Sequence, residues 1–349
     1  MLESRNSNIQ RWNPCVERIE QIQEWLATCC PQPVTGLQPA SADASFRRYL
    51  RAQCAGASYV VMDAPPAHED VGPWLQVRTL LDDAGVAVPQ LLAADHQRGF
   101  LLISDLGDAT MLSALHNGAD ADALYSAATA SLVAMQRIDA ATRLATYDHA
   151  ELLREMRLFP EWYVGAHLGV ALDATQSAML AATFEKIIAV NLAEERVFVH
   201  RDYHSRNLML RQGGDGDIGV IDFQDAVYGP LSYDIVSLLK DAYIDWPEER
   251  RLDWLVRYWR RARDAGLPAP ADFGEFFRHF EWMGVQRHIK VLGIFARLKH
   301  RDGKDSYLRD IPLVMQHLRQ ACARYDELQP LLRLLNQLEG RSPQVGFSF

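Results

Sequence analysis

The sequence predicts an α+β fold in two lobes, a small β-rich N-terminal lobe over residues 1–105 and a larger, mainly helical C-terminal lobe over residues 106–349. Three observations carry this. The 349 residues exceed what one hydrophobic core ordinarily holds. Short β-branched and aromatic runs fill the first third, whereas helical periodicity dominates from Met111 onward. Between the two regimes lies Asp105-Leu106-Gly107-Asp108, a polar junction with a turn residue.

In chain order, residues 15–30 place Val16, Ile19, Ile22 and Leu26 on one face of a helix, which Pro31 and Pro33 end. Residues 45–50 and 58–62 are strand-like runs separated by Gly56, an antiparallel pair closed by Pro65-Pro66. A helix over 74–81 lies within this lobe, and residues 86–94 and 99–104 read as two further strands. In the second lobe, residues 208–210 and 218–223 form a hairpin across the Gly-rich stretch 213–217. Residues 252–259, with Trp254, Tyr258 and Trp259, read as a buried helix face.

Composition excludes several function classes. No apolar run approaches the roughly 20 residues that span a bilayer, and the opening residues 1–6 lack the basic-then-apolar pattern of a secretory signal. A cytoplasmic protein with no membrane partner is expected. The formal net charge of -9 disfavours a nucleic-acid partner, because phosphate backbones are held by clustered Lys and Arg. Cys15, Cys29, Cys30, Cys54 and Cys322 are scattered, without C-x-x-C spacing, and read as reduced thiols. A monomer acting on a small molecule fits this balance.

The chemistry concentrates in Val199-His200-Arg201-Asp202-Tyr203-His204-Ser205-Arg206-Asn207 and in Val220-Ile221-Asp222-Phe223. An Asp, an Asn five residues later and a second Asp on the following hairpin are the residues with which a kinase fold orients an acceptor hydroxyl and holds magnesium. Mg²⁺ takes hard oxygen ligands, usually one or two carboxylates from the protein, with phosphate and water completing the shell. Transfer of a phosphoryl group is then mostly positioning and charge stabilisation. An isolated His-Arg-Asp is an ordinary structural ion pair; the ordered combination points to a site. Asp202 is therefore expected as catalytic base, Asn207 and Asp222 as metal ligands, ATP and Mg²⁺ as cofactors, and the fold as protein-kinase-like. Ser104, Asp105 and Leu106 occupy the crossing between lobes, where exposed backbone groups would pair with the adenine edge.

The strings HRDYHSRN (200–207), IDFQDA (221–226) and GPLSYDI (229–235) resemble the aminoglycoside phosphotransferase and choline kinase-like superfamily, whose loop reads H-G-D-x-H-x-x-N. The resemblance runs over about residues 35 to 310. More narrowly, residues 37–49, 61–66 and 286–298 resemble the anomeric N-acetylmuramate/N-acetylglucosamine kinases of bacterial cell-wall recycling. That implies ATP-dependent phosphorylation of an amino sugar at its anomeric hydroxyl, giving a sugar 1-phosphate. It also implies the same roles for Asp202, Asn207 and Asp222. His204 matches the second His of the family loop and is expected beside the acceptor, steadying the loop or its acidic groups. Gln224 and Asp225 are expected to face the sugar, and Arg287, with Lys290 on the same helix face, to meet the lactyl carboxylate. Arg201 departs from the usual Gly and reads as structural; Asp234 is expected to bond the catalytic-loop backbone.

The phosphate end departs from the common plan. Residues 41–48 contain no glycine, so Ser41, Asp43 and Ser45, with Phe46, would have to shape the phosphate turn through side-chain bonds. Met62 stands where a phosphate-binding Lys is usual, Gln76 where its acidic partner would be sought, and Arg47 or Arg48 is the expected substitute cation. Two alternatives stay open: a kinase of another hydroxyl acceptor such as an aminoglycoside or choline, and a degenerate kinase-fold binding module.

Overall fold

The computed structural model describes residues 14–30, 33–41, 47–54, 56–211 and 217–340. The chain divides into two compact units, with breaks at Gly72/Pro73, Val88/Pro89 and Asp105/Leu106. The smaller comprises helix α1 (Pro14–Cys29) and strands β1 (Val34–Ser41), β2 (Arg48–Cys54), β3 (Ala57–Asp63), β4 (Leu91–Asp95) and β5 (Phe100–Ser104). The strands form one antiparallel sheet in the order β1-β2-β3-β5-β4. Strand alternation puts Leu50 and Ala52 of β2, Val61 of β3, and Phe100 and Leu102 of β5 on one face, where they bury against Ile22, Trp25 and Leu26 of α1. Trp25 and Phe100 meet with ring centroids 5.6 Å apart, and deleting a buried ring of this kind costs about 3–5 kcal/mol.

Two elements differ from the sequence expectation. Strand β1 carries Gly36 and Pro39 and has no clean alternation, so it is not legible as a strand. Its register against β2 shifts beside both residues, and as an edge strand it tolerates a proline that cannot donate to the ladder. The run at 86–94 becomes a strand only from Leu91. Gly85, at φ 73°, turns the chain out of the preceding helix, and the Val86 amide donates back to the Leu81 carbonyl at 2.9 Å. Val86 and Val88 are buried, and the Ala87 carbonyl accepts from the Val220 amide at 2.8 Å.

These last contacts explain why the helix expected inside the small lobe belongs to the larger unit. In α2 (Gly72–Asp83), Trp74 packs on Phe223 at 5.3 Å between centroids, and Gln76 donates to the Arg143 carbonyl at 2.7 Å. The larger unit continues with α3 (Met111–His116), α4 (Ala121–Gln136), α5 (His149–Met156), a π-helical segment Phe159–His167, and α6 (Ala174–Leu192). Strands β6 (Arg196–Val199), β7 (Leu208–Leu210), β8 (Ile218–Val220) and β9 (Val227–Pro230) follow, then α7 (Tyr233–Leu239), α8 (Glu248–Asp264), α9 (Phe273–His300), α10 (Ile311–Arg324) and α11 (Gln329–Leu338). The strands make two antiparallel ribbons, β6 with β9 and β7 with β8.

Helix α9 organises this unit. Asp272 caps it by accepting from the Glu275 amide at 2.8 Å, and it is buried along most of its 28 residues. Gly293 permits its close approach to the chain before the π-helical segment, since a Cβ there would lie 2.5 Å from the Leu158 carbonyl carbon. Its buried side chains include Glu281, Gln286, Arg287, His288 and Lys290. A helix that buries so many polar groups must pair them internally. Among the described residues, no helix is long and apolar enough to cross a membrane.

Candidate active site

The catalytic-loop sequence leaves β6 at Val199, and its first turn is clamped by Asp234 at the start of α7. The Asp234 carboxylate accepts from the backbone amides of His200 (2.6 Å) and Arg201 (3.0 Å), as expected. Arg201 is held at φ 75°, a left-handed conformation that costs a side-chain-bearing residue about 1–2 kcal/mol and that glycine adopts freely. The compensation lies in its side chain. Its guanidinium pairs with buried Glu155, reaches Glu151 at 3.3 Å and lies over the Tyr147 ring.

His200 couples the loop to the strand that follows it. Its Nε2 faces the Ile221 carbonyl at 3.1 Å, and its Nδ1 faces the Asp202 amide at 3.2 Å. A carbonyl only accepts and an amide only donates, so the proton sits on Nε2. Burial pushes the His200 pKa down to about 4, which keeps the ring neutral.

Asp202, Asn207 and Asp222 come together at this point. Asn207 Nδ2 donates to the Asp202 carbonyl at 3.0 Å and lies 3.3 Å from Asp222 Oδ2, while the Asn207 carbonyl accepts from the Ile221 amide at 3.1 Å. Asp222 does not end the strand as the apolar run suggests. Strand β8 stops at Val220, and Asp222 itself adopts φ 64°, a conformation Asp tolerates better than most residues. Its Oδ1 accepts from Gln224 Nε2 at 2.8 Å. One amide and one carboxylate suit Mg²⁺, which completes its shell with phosphate and water. Among the described residues no group of three His, Cys, Asp or Glu could hold a metal ion by itself.

Charge at Asp202 is set from α9. Burial alone would raise its carboxyl pKa, but the positive charges of Lys290 and Arg287 outweigh that and hold it down at about 2. Lys290 Nζ is anchored by Glu155 at 2.9 Å and by the Tyr233 hydroxyl at 2.9 Å. Arg287 Nη1 donates to the Arg201 carbonyl at 2.8 Å. Arg287, expected at a lactyl carboxylate, braces the catalytic loop through this bond and also lines the cavity beside Asp202.

A cavity opens beside Asp202 in the larger unit. Asp202, His204, Asp241 and Arg287 form polar parts of its lining, and Tyr243, Ile294, Phe295 and Leu298 form apolar parts. His204 Nδ1 and His288 Nδ1 are buried without a hydrogen-bond partner, and burial keeps His204 below its ordinary pKa. Asp241 fixes the loop by accepting from the amide and hydroxyl of Ser205. Asp241 and Tyr243 were not expected from the sequence. Their signal is a polar cluster directly after α7, all of whose residues are buried.

Asp225 is exposed, and Gln224 is turned onto Asp222. In the small unit, Ser104 is tied to Gln90 through its amide and hydroxyl, and the Asp105 carboxylate accepts from Arg51 Nε at 2.6 Å and from the Ser58 hydroxyl. Leu106 lies on β8, where a Cβ at Gly219 would come within 2.8 Å of its Cδ1. Arg48 donates to Asp63 (Nε to Oδ2, 2.9 Å), and Arg47 Nε is 3.9 Å from Glu69. Met62 is fully buried. Ser41 ends β1 opposite Tyr49; Asp43, Ser45 and Phe46 lie outside the described residues.

A family model described as "Phosphotransferase enzyme family" matches residues 36–273. The chain belongs to this family. It is 48% identical over 331 residues to an N-acetylmuramate/N-acetylglucosamine kinase of Pseudomonas aeruginosa, spanning 92% of this chain and 97% of the relative. It is also 48% identical to one of Neisseria meningitidis, spanning 96% and 100%. Among solved structures, the choline kinase of Streptococcus pneumoniae superposes with a TM-score of 0.61 at 12% identity, over 88% of this chain and all of that one. An ADP-bound aminoglycoside phosphotransferase gives 0.57 at 16% identity, over 86% and 98%. The fold is therefore kinase-like, with a small antiparallel sheet unit and a larger helical one.

Proposed function

We propose that this phosphotransferase moves the γ-phosphoryl group of ATP onto the anomeric hydroxyl of N-acetylmuramate and N-acetylglucosamine, giving sugar 1-phosphates for peptidoglycan recycling. The observation that carries this reading is the convergence of Asp202, Asn207 and Asp222 beside a cavity of mixed polarity, in a chain nearly half identical to kinases of those sugars.

Asp202 orients the acceptor hydroxyl and receives its proton. A carboxyl held near pKa 2 is a weak base but is ionised throughout the neutral range. That suffices when the transition state is loose and the proton leaves late. Asn207 and Asp222 would hold Mg²⁺, which when bound supplies positive charge at the phosphates. Gln224 aligns Asp222 for that task. Neutral His204 offers its unpartnered Nδ1 to a sugar hydroxyl, while Phe295 and Ile294 cover apolar parts of the ring or the acetamido methyl. The adenine edge is assigned to the backbone of Ser104, Asp105 and Leu106. Arg47, in the stretch expected to shape the phosphate turn, is assigned to triphosphate charge.

ADP release measured over amino sugars, aminoglycosides and choline tests the reading. Turnover is expected with the two amino sugars and should fall about 10²- to 10⁴-fold in Asp202→Asn with nucleotide binding kept. Equal turnover in wild type and variant, or turnover only with choline or an aminoglycoside, would refute it.

A further inference from the structure

N-acetylmuramate and N-acetylglucosamine differ by one lactyl ether, which adds a carboxylate to an otherwise shared ring. An enzyme that favours the acid must offer that carboxylate a cation with unoccupied donors. The three cations lining the cavity all donate to protein groups: Arg287 through Nη1 to the Arg201 carbonyl, Lys290 to Glu155 and the Tyr233 hydroxyl, and Lys240 to Glu281 at 2.5 Å.

Arg206 differs from all three. It stands four residues after Asp202 in the same loop, and its guanidinium carbon lies 3.5 Å from the centroid of Tyr243 and 6.0 Å from that of Tyr307. Both rings line the cavity, and Arg206, itself outside that lining, packs against them with its side chain 31% exposed. Stacking uses the flat face of a guanidinium and leaves its N–H edges available for a bidentate bond to a carboxylate. Among the described residues Arg206 donates no hydrogen bond, and its ion pair with Asp310 spans 3.8 Å. Asp310 Oδ2 is in turn buried without a hydrogen-bond partner, so the pair is a loose contact between two under-bonded groups.

Resting on the amino-sugar reading above, we infer that Arg206, stacked on Tyr243, reads the lactyl carboxylate and determines the preference for N-acetylmuramate. Asp310 acts in the opposite sense, as a nearby negative charge that the incoming carboxylate must outcompete.

The test compares kcat/KM for both sugars in wild type, Arg206→Ala, Arg206→Lys and Asp310→Asn. Loss of a charge-assisted bond should lower kcat/KM for N-acetylmuramate about 10- to 100-fold in Arg206→Ala, mainly through KM, and leave N-acetylglucosamine within about threefold. Arg206→Lys should fall between, because an ammonium keeps the charge without the bidentate geometry. Asp310→Asn should raise the ratio of N-acetylmuramate to N-acetylglucosamine turnover. Parallel losses on both sugars would overturn the inference, since a merely structural Arg206 moves both alike. If Arg206→Ala does not fold, an unchanged or lowered ratio in Asp310→Asn overturns it instead. Wild-type enzyme inert toward both sugars would sink the functional reading and this inference with it; wild type active on both with the ratio unmoved by Arg206→Ala sinks only the inference.

Discussion

Asp63 in the small unit and Glu155 in the larger one are both buried carboxylates held between two cations. Asp63 joins Arg18 to Arg48, whose side chains are 22% and 32% exposed, and Arg18 goes on to the Arg98 carbonyl. The result is a brace between α1 and the sheet. Glu155 joins Arg201 to Lys290, 17% and 7% exposed, and also accepts from Tyr147 and Gln286. Here the cations continue into the chemistry: Arg201 belongs to the catalytic loop, and the charge of Lys290 holds the Asp202 carboxyl down. One ionic motif serves as a fastener in one place and as an electrostatic control in another. What separates them is where the cations' remaining donors and field are directed.

Removing each carboxylate should expose that contrast. Glu155→Ala strands two enclosed cations and is expected to cost about 3–5 kcal/mol, whereas the cations of Asp63→Ala can rehydrate, for about 1–3 kcal/mol. Urea midpoints of the two variants check the ordering, and equal losses would erase the distinction. The pH dependence should follow. Burial raises the Glu155 pKa, but Lys290 and Arg201 bring it to about 2, below an unfolded value near 4.3. Its stabilisation is thus complete above about pH 5 and lost as pH falls toward 2; Glu155→Gln should flatten that slope.

A second variant isolates the electrostatic half. Lys290→Met removes the leading charge acting on Asp202, so the Asp202 pKa should rise by about one to three units. The acid limb of the kcat/KM profile should move up with it, and a limb that stays in place would leave Lys290 a fastener like Arg48. The smallest effect concerns Asp222. Gln224→Leu removes the amide that holds Oδ1, and the Mg²⁺ midpoint of ADP release should rise by about 10-fold, with little change in thermal midpoint.

The same contrast shows what the sequence could reveal. Helix α1, the β2/β3 pair and the grouping of Asp202, Asn207 and Asp222 are legible because their signals are local: helical spacing of Ile19, Ile22 and Leu26, alternation in short runs, and a fixed Asp-to-Asn interval. Asp234 is legible as a clamp because it opens an apolar helix soon after Asp222. Glu155 is not. It lies in an unremarkable helix and acquires meaning only from Arg201 and Lys290, which are 46 and 135 positions away in the chain. Arg48 looks like a ligand cation for the same reason, since sequence shows a charge but not the Asp63 carboxylate that pairs with it. Arg206 is not legible although it stands inside the motif, because its distinguishing feature is a stacking partner contributed by the chain beyond α7. Strand β1 was lost to Gly36 and Pro39, whose cost depends on an edge position that only the sheet order defines.

Phosphorus NMR of the product made from ATP and N-acetylmuramate shows which hydroxyl receives the phosphoryl group and whether Asp202 drives its transfer. An acid-labile phosphate on the anomeric carbon is expected, formed by wild type and about 10²- to 10⁴-fold more slowly by Asp202→Asn. A phosphate at the 6-hydroxyl, or product formed equally fast by Asp202→Asn, would contradict it.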